Sequence, residues 1–419
     1  MTSEYFDAVV VGASLAGCTA ATLYARQGLS VALVEAHRDI NHHKRACTHF
    51  IQPTAMPTIR RLGLDGPIED AGGERNSLET WTRWGWLRSE ARGGDTPDDS
   101  GYNIRRAVLD PLFRARTVAE PGVTFLPGHS VSGLVRTGSR VVGVVTNSSG
   151  GGRAIMARLV VGADGRNSRV AQRVGVPSSD HAHGRFVYFA AFENVGLPNR
   201  ASRIWMLEPD IGYAFPNGDV TILSVMPSKE KLPEFRKNLQ DNYLAFLNRL
   251  PDGPDLSAAR QLTDLSGVLN YACVSRRPTA PGLALVGDAA MTSDYLWGTG
   301  CGNAFQSAEW LVDATVDALH DGGDLNAALD RYRIRHHATL SGHHRLMNDY
   351  AGGRGFNPVE RLIFSAAVRD RKVGRHVQQF GERRISVKKF LSPTILWRSA
   401  LVNARMPGSR PAGSVDRAA

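Results

Sequence analysis

The chain has 419 residues, 42% hydrophobic, with 43 Gly and 21 Pro, which excludes a disordered or collagen-like protein and leaves room for two domains or one composite unit. Its net charge is +10, but residues 369–419 hold 12 Lys and Arg against three acids, so that segment carries +9 and the other 368 residues only +1. A near-neutral body argues against a nucleic-acid-binding surface and turns the charge into a question about the C-terminal segment.

Residues 6–11 form a short valine-rich run, as expected of a buried parallel strand. Gly12-Ala13-Ser14-Leu15-Ala16-Gly17 follows, then small helix formers over 18–25 ended by Gly28, then a second strand at 30–34 closing on Glu35. This is a βαβ unit with a glycine fingerprint between strand and helix. Gly12 permits the tight turn, Ser14 is small where the backbone must approach a pyrophosphate, and Gly17 lets helix and strand pack closely. The helix N-terminus offers free N–H groups and a positive dipole end to the diphosphate. Glu35, 18 residues after Gly17, is spaced to accept hydrogen bonds from an adenosine ribose. The unit predicts dinucleotide binding.

Trp81, Trp84 and Trp86 come next; such a cluster either lines an apolar substrate cavity or packs in the core. Residues 93–101 read as a polar exposed loop. Residues 158–165 are an apolar strand ending in Asp164-Gly165. The region from about 180 to 275 reads as antiparallel sheet, with an aromatic strand at 185–192 and a hairpin turning at Asn217-Gly218. Residues 283–290 are a further apolar strand carrying Gly287-Asp288. It leads to Gly298-Thr299-Gly300-Cys301-Gly302-Asn303, a glycine-rich loop opening a helix and again a site for negative charge. Residues 326–350 read as one helix. Its pairs His336-His337 and His343-His344 share a face, without a His-Glu-x-x-His constellation, so a solvated face is expected and no metal. Phe390, Leu391, Ile395, Leu396, Trp397 and Leu401 alternate with the charges around 388–398, so part of this stretch reads as an amphipathic helix, and 406–419 read as disordered. Cys18, Cys47, Cys273 and Cys301 are scattered, which implies neither a disulfide scaffold nor a Cys-based zinc site. No apolar stretch reaches about 18 residues and no basic region precedes one at the N-terminus, so a cytoplasmic protein without a transmembrane segment is expected.

Together the three strand-end motifs, in this order, resemble the flavoprotein monooxygenase superfamily that includes aromatic hydroxylases, geranylgeranyl reductases and flavin halogenases. The resemblance covers about residues 6–350. It implies an α/β fold: a Rossmann-like FAD-binding domain with an inserted antiparallel β-sheet substrate domain and C-terminal helices. FAD-binding parts would fall at 1–80, 105–178 and 276–350, a substrate-side insertion at 81–104, the substrate sheet at 179–275, a basic helical segment at 351–405 and a tail at 406–419. The same resemblance implies that Gly12, Ser14, Ala16 and Gly17 hold the FAD diphosphate, and Glu35 with Ala36 the adenosine ribose. It implies that Arg45, Ala46 and Cys47 pass the flavin ring, that Arg105 touches the cofactor, and that Asp164-Gly165 is a second fingerprint linked to FAD and the nicotinamide cofactor. Gly287 and Asp288 would meet the ribityl chain. Gly298, Gly300, Gly302 and Asn303 would set a helix N-terminus against the flavin N1–C2=O edge. The sequence departs from the family in three places. Met291 stands where relatives have His, Leu296-Trp297 where they have Pro, and the Gly300-Cys301-Gly302-Asn303 turn carries an extra glycine.

Halogenation fits poorly. No lysine lies between Lys44 and Lys229, and Trp84-Gly85-Trp86 is followed by Leu87-Arg88 where halogenases carry x-Ile-Pro. The resemblance instead implies a monooxygenase using FAD, O2 and NAD(P)H as transient reductant. A flavin hydroperoxide would pass one oxygen to a small molecule, by analogy an aromatic or polycyclic secondary metabolite such as those of antibiotic biosynthesis. With one full dinucleotide fingerprint, either NAD(P)H docks without its own Rossmann domain or a partner flavin reductase delivers reduced flavin. Trp84, Tyr213 and Tyr295 are substrate-pocket candidates. His49 and Trp297 are catalytic candidates, His49 being either a proton-transfer group or a hydrogen-bonded structural residue. The alternative is an FAD-dependent reductase or dehydrogenase of the geranylgeranyl reductase type, acting on C=C bonds. The basic segment would cover the substrate entrance, join two subunits in a homodimer, or serve solvation alone.

Overall fold

Valine dominates strand β1 (Glu4–Val11), whose last four residues are buried. Such a run is stable only with both faces covered, in the middle of a parallel sheet. β1 pairs in parallel with β2 (Val31–Glu35) on one side and β4 (Gly151–Gly162) on the other. β3 (Val123–Pro127) extends this sheet beyond β2, and β5 (Leu283–Leu285) beyond β4, both in parallel. Helix α1 (Leu15–Arg26) joins β1 to β2 and is buried from Leu15 to Ala25. Its small residues let it sit between the sheet and two further helices, α2 (Arg106–Val118) and α3 (Gly300–His320). Helix α4 (Leu325–Ala351) lies along α3, its N-terminus capped by Asp324, which accepts from the N–H groups of Asn326 and Ala327. The computed structural model describes residues 4–88 and 100–405. Most of the polar loop expected at 93–101 and all of the tail 406–419 lie outside them.

A second sheet runs in the order 260–261, 187–193, 220–226, 211–217, 202–206, 78–82 and 85–87. Its central hairpin pairs Asn217 with Val220 and turns through Gly218 at φ 70°, the left-handed geometry that an Asn-Gly signal anticipates. Leu78–Thr82 joins in parallel beside Ser202–Met206 and so carries Trp81 into this sheet. One face packs Phe186, Tyr188, Trp205 and Leu223 under the helix Leu239–Asn248. The other presents Ile204, Tyr213, Phe215 and Met226 toward the first sheet's strand ends and the C-terminal helices. A Rossmann-like sheet with an inserted antiparallel sheet is thus the architecture.

The described C-terminal residues form the longer helices α5 (Pro358–Ala367), α6 (Arg371–Gly381) and α7 (Pro393–Arg405). The stretch around 388–398, part of which is expected to form an amphipathic helix, is helical in two pieces. A short turn at Val387–Phe390 ends, and α7 begins afresh at Pro393, which fits a first helical turn and not a helix interior. Phe356, Ile363, Phe364, Val377, Phe380 and Phe390 share one core with the second sheet. The histidines of α4 also depart from expectation. His336, His343 and His344 are buried and only His337 is exposed, because α4 is covered by the C-terminal segment as well as by α3. His343 Nε2 lies 3.0 Å from Ile385 O and His344 Nε2 2.8 Å from Thr292 O. Among the described residues, no group of three or more His, Cys, Asp or Glu is arranged to hold a metal ion, and no helix is long and apolar enough to cross a membrane.

Candidate functional site

The strand ends of β1, β4 and β5 converge, and with them the three motifs. Gly12 adopts φ 103°, and a Cβ there would stand 2.6 Å from Ala163 O. A Cβ on Gly17 would fall 1.8 Å from Gly12 O. A Cβ on Gly287 would meet Ala16 at 2.9 Å. Glycine is therefore imposed at these points by contact between the motifs themselves. Ser14 opens α1 without capping it through its side chain, and no acid stands in the first turn, so the N–H groups there remain available to an anion. Glu35 accepts from Ala13 N at 2.8 Å and His37 N at 2.9 Å, which ties the end of β2 to the turn. Ala36 is exposed beside it.

Helix α2 sends two buried arginines to this turn. Arg106 Nη2 donates to Ser14 Oγ at 2.8 Å, while its Nε and Nη2 clasp Asp110 at 2.6 and 3.0 Å. Arg114 Nε donates to Ala13 O at 2.8 Å. Arg105, expected to touch the cofactor, is exposed at the N-cap of α2. Asp110 also accepts from Lys44 N at 3.0 Å and so fixes the stretch of Lys44 to His49. Lys44 Nζ reaches Asp288 Oδ2 at 2.7 Å. Asp164 holds its own turn together, accepting from Ser168 Oγ at 2.5 Å and Val170 N at 3.1 Å, with Gly165 at φ 79°.

Arg45 is exposed, whereas Ala46 and Cys47 are half-buried. Cys47 Sγ lies 3.9 Å from Cys301 Sγ in the first turn of α3, and His49 N donates to Cys47 Sγ at 3.2 Å. The hydrogen bond from Cys301, with the charges of Arg106 and Lys44, holds the Cys47 thiol well below its usual pKa despite burial, and Cys301 is correspondingly raised. His49 has φ 62°, and its Nδ1 accepts from Arg106 N at 2.9 Å. Burial lowers its pKa, so at neutral pH the ring is uncharged with its proton on Nε2. The α3 N-terminus has neither a side-chain cap nor an acid, and Thr299 Oγ1 is buried with no hydrogen-bond partner among the described residues. Gly298 has φ 59° and packs on Phe50, and a Cβ on Gly300 would meet open space. Uncapped helix ends at both α1 and α3, glycines with no room for a side chain and an orphaned hydroxyl fit a dinucleotide with a diphosphate and a polar ring edge.

Two cavities border this region. One is lined by Ala46, Cys47, Thr48, Phe189, Tyr213, Met226 and Tyr295. The Tyr213 hydroxyl is buried there without a partner among the described residues. The other lies under the C-terminal helices between Met206, Trp297, Tyr350, Phe356, Phe364 and Phe380. Trp297 faces this second cavity, and Trp84 stacks 6.1 Å from Phe356 beside it. The structure thus brings Tyr213 and Tyr295 together and sets Trp84 and Trp297 apart from them.

A family model described as an FAD binding domain matches residues 5–340. The chain belongs to that family. The 6-methylpretetramide 4-monooxygenase of Streptomyces rimosus is 30% identical over 319 residues, 72% of this chain and 73% of its own. Digeranylgeranylglycerophospholipid reductase 1 of Methanococcoides burtonii is 26% identical over 345 residues, 79% of each chain. The solved flavin-dependent brominase Bmp2 matches with a TM-score of 0.77, over 96% of this chain and 99% of its own at 18% identity, a likeness of fold. This flavoprotein is accordingly an FAD-binding oxidoreductase of the FAD-dependent monooxygenase superfamily.

Four residues of this flavoprotein's site escape a linear reading. Arg106 and Arg114 meet partners 92 and 101 residues away. Gln52 and Arg383 meet each other across 331 residues. A local signal is the glycine-rich turn of 300–303, where the Arg383 guanidinium packs against Gly302.

Proposed function

We propose that this flavoprotein is a monooxygenase that inserts one atom of O2 into a small aromatic or polycyclic molecule, with NAD(P)H as transient reductant. FAD supplies the activation of O2; the chain binds, orients and excludes water. Gly12, Ser14, Gly17, Arg106 and Arg114 would hold the diphosphate turn, Asp288 with Lys44 the ribityl chain, and the first turn of α3 the ring. The observation that carries the reading is the cavity beside Ala46, Cys47 and Thr48. Phe189, Tyr213 and Tyr295 stand in its wall, and the Tyr213 hydroxyl, buried there without a partner among the described residues, is a donor for a substrate phenol or carbonyl. The 30% identity to a monooxygenase over most of both chains supports the same reading. His49, neutral with Nδ1 occupied, would donate from Nε2 and not accept a proton.

A second reading is reduction of C=C bonds in an isoprenoid-like chain. The apolar cavity lined by Met206, Phe364 and Phe380 favours it, as does the likeness to a digeranylgeranylglycerophospholipid reductase. Mass spectrometry of product formed under labelled O2 decides between them. The monooxygenase reading requires one labelled oxygen per product and NAD(P)H oxidation stimulated by an aromatic substrate. A product two hydrogens heavier and free of label establishes the reductase.

A further inference from the structure

We propose that Arg383, carried in by the C-terminal segment, is a positioning residue of the FAD site: it fixes the first turn of α3 and sets a positive charge beside it. The proposal rests on the flavin ring lying against that turn.

The Arg383 guanidinium is enclosed by neutral acceptors. Nε donates to Gln52 Oε1 at 2.8 Å and Nη1 to Asn303 Oδ1 at 2.6 Å. Nη2 donates to Gln306 Oε1 at 3.0 Å and Thr54 Oγ1 at 3.2 Å. No carboxylate pairs with it among the described residues. Burial alone pushes its pKa down to about 10, which leaves it cationic at neutral pH. Asn303 and Gln306 belong to the first two turns of α3, so this cation stands beside the positive end of the helix. Two positive features side by side, with no acid in the first turn, repel one another. The arrangement suits a site that receives negative charge, and a flavin ring gains that charge on reduction.

The chain accommodates Arg383 at some cost. Its backbone adopts φ 60°, strained for a residue with a Cβ. Gly302, in the Gly300-Cys301-Gly302-Asn303 turn, leaves room for the guanidinium, since a Cβ would stand 2.6 Å from Arg383 Nη2 and displace it. Gln52 closes the circuit: its Nε2 donates to Trp297 O and to Gly381 O, both at 2.8 Å. The loop before α3 and the end of α6 are thereby held by one amide.

The test compares wild type, R383M, R383K and G302A as full-length proteins. FAD binding is titrated on the apoproteins, the flavin midpoint potential is measured by anaerobic dye-coupled reduction, and apoprotein melting is the control. R383M is expected to raise the FAD dissociation constant about tenfold and to lower the potential. R383K keeps the charge but not the planar fork, so its potential stays near wild type while affinity falls. G302A displaces the guanidinium and loses affinity likewise. R383M with wild-type affinity and potential overturns the proposal, however its melting temperature moves. Should R383M not fold, wild-type affinity in both R383K and G302A overturns it. A wild-type chain that takes up no FAD refutes the cofactor reading and this proposal with it.

Discussion

Single residues of the glycine turn after β1 are fixed by contact with backbone, and this makes them both legible and intolerant. Gly12, Gly17 and Glu35 could be read from spacing because each answers to a neighbour one turn or one strand away. The contact of Arg106 with Ser14, 92 residues away, could not, because spacing does not show which elements pack together. Gly12→Ala would combine a left-handed backbone with a Cβ 2.6 Å from Ala163 O. We expect a loss of about 3 kcal/mol or more in urea unfolding and failure to retain FAD; wild-type FAD content would contradict the contact. The cysteines give a second residue-scale outcome. Burial pushes Cys18 and Cys273 up to about 12, whereas Cys47 is lowered and half-buried. Iodoacetamide should label Cys47 first in the native apoprotein, with FAD slowing the reaction, as read by peptide mass spectrometry. Faster labelling of Cys18 would be incompatible with this geometry.

Elements were legible where periodicity and turn chemistry agree. The hairpin of Ile211–Asn217 and Val220–Met226 follows from alternation around Asn-Gly, and β1, α1 and β2 follow from their apolar runs. Helix α4 was legible as a helix but not as a buried one. Spacing places His336 and His343 on a common face and says nothing of what covers it. Burial lowers the His336 pKa to about 4, and His343 and His344 move in the same direction. The unfolded chain takes up these protons near pH 6.5, the folded one only at lower pH. Stability is therefore full above about pH 6.5 and declines as pH falls toward 4. Urea unfolding at pH 7 and pH 4.5 should show this decline. His336→Gln, which cannot titrate, should remove up to about 3 kcal/mol of it. An identical pH dependence in wild type and variant would exclude His336 as a source.

At the scale of the whole molecule, the basic surplus belongs to a structural layer. Linear charge counting marks residues 369–419 as an appendage, because long-range packing leaves no mark on composition. In the fold the charges of α5, α6 and α7 face outward or pair, as Arg398 does with Asp370 at 2.5 Å, while Phe356, Ile363, Phe364, Val373, Phe380 and Phe390 are buried against the second sheet. Each such side chain contributes about 1.5–3 kcal/mol when buried, so six together rival the roughly 5–15 kcal/mol that holds a typical domain folded. A chain truncated after Ala351 should therefore lose cooperative unfolding and expose apolar surface to a hydrophobic dye. Trp397→Ala, at a side chain 68% exposed, should leave the unfolding midpoint within about 0.5 kcal/mol of wild type. A truncated protein that still unfolds cooperatively and retains FAD would show the layer to be dispensable. It would also separate the basic segment from the cofactor site that Arg383 and Gln52 join to it.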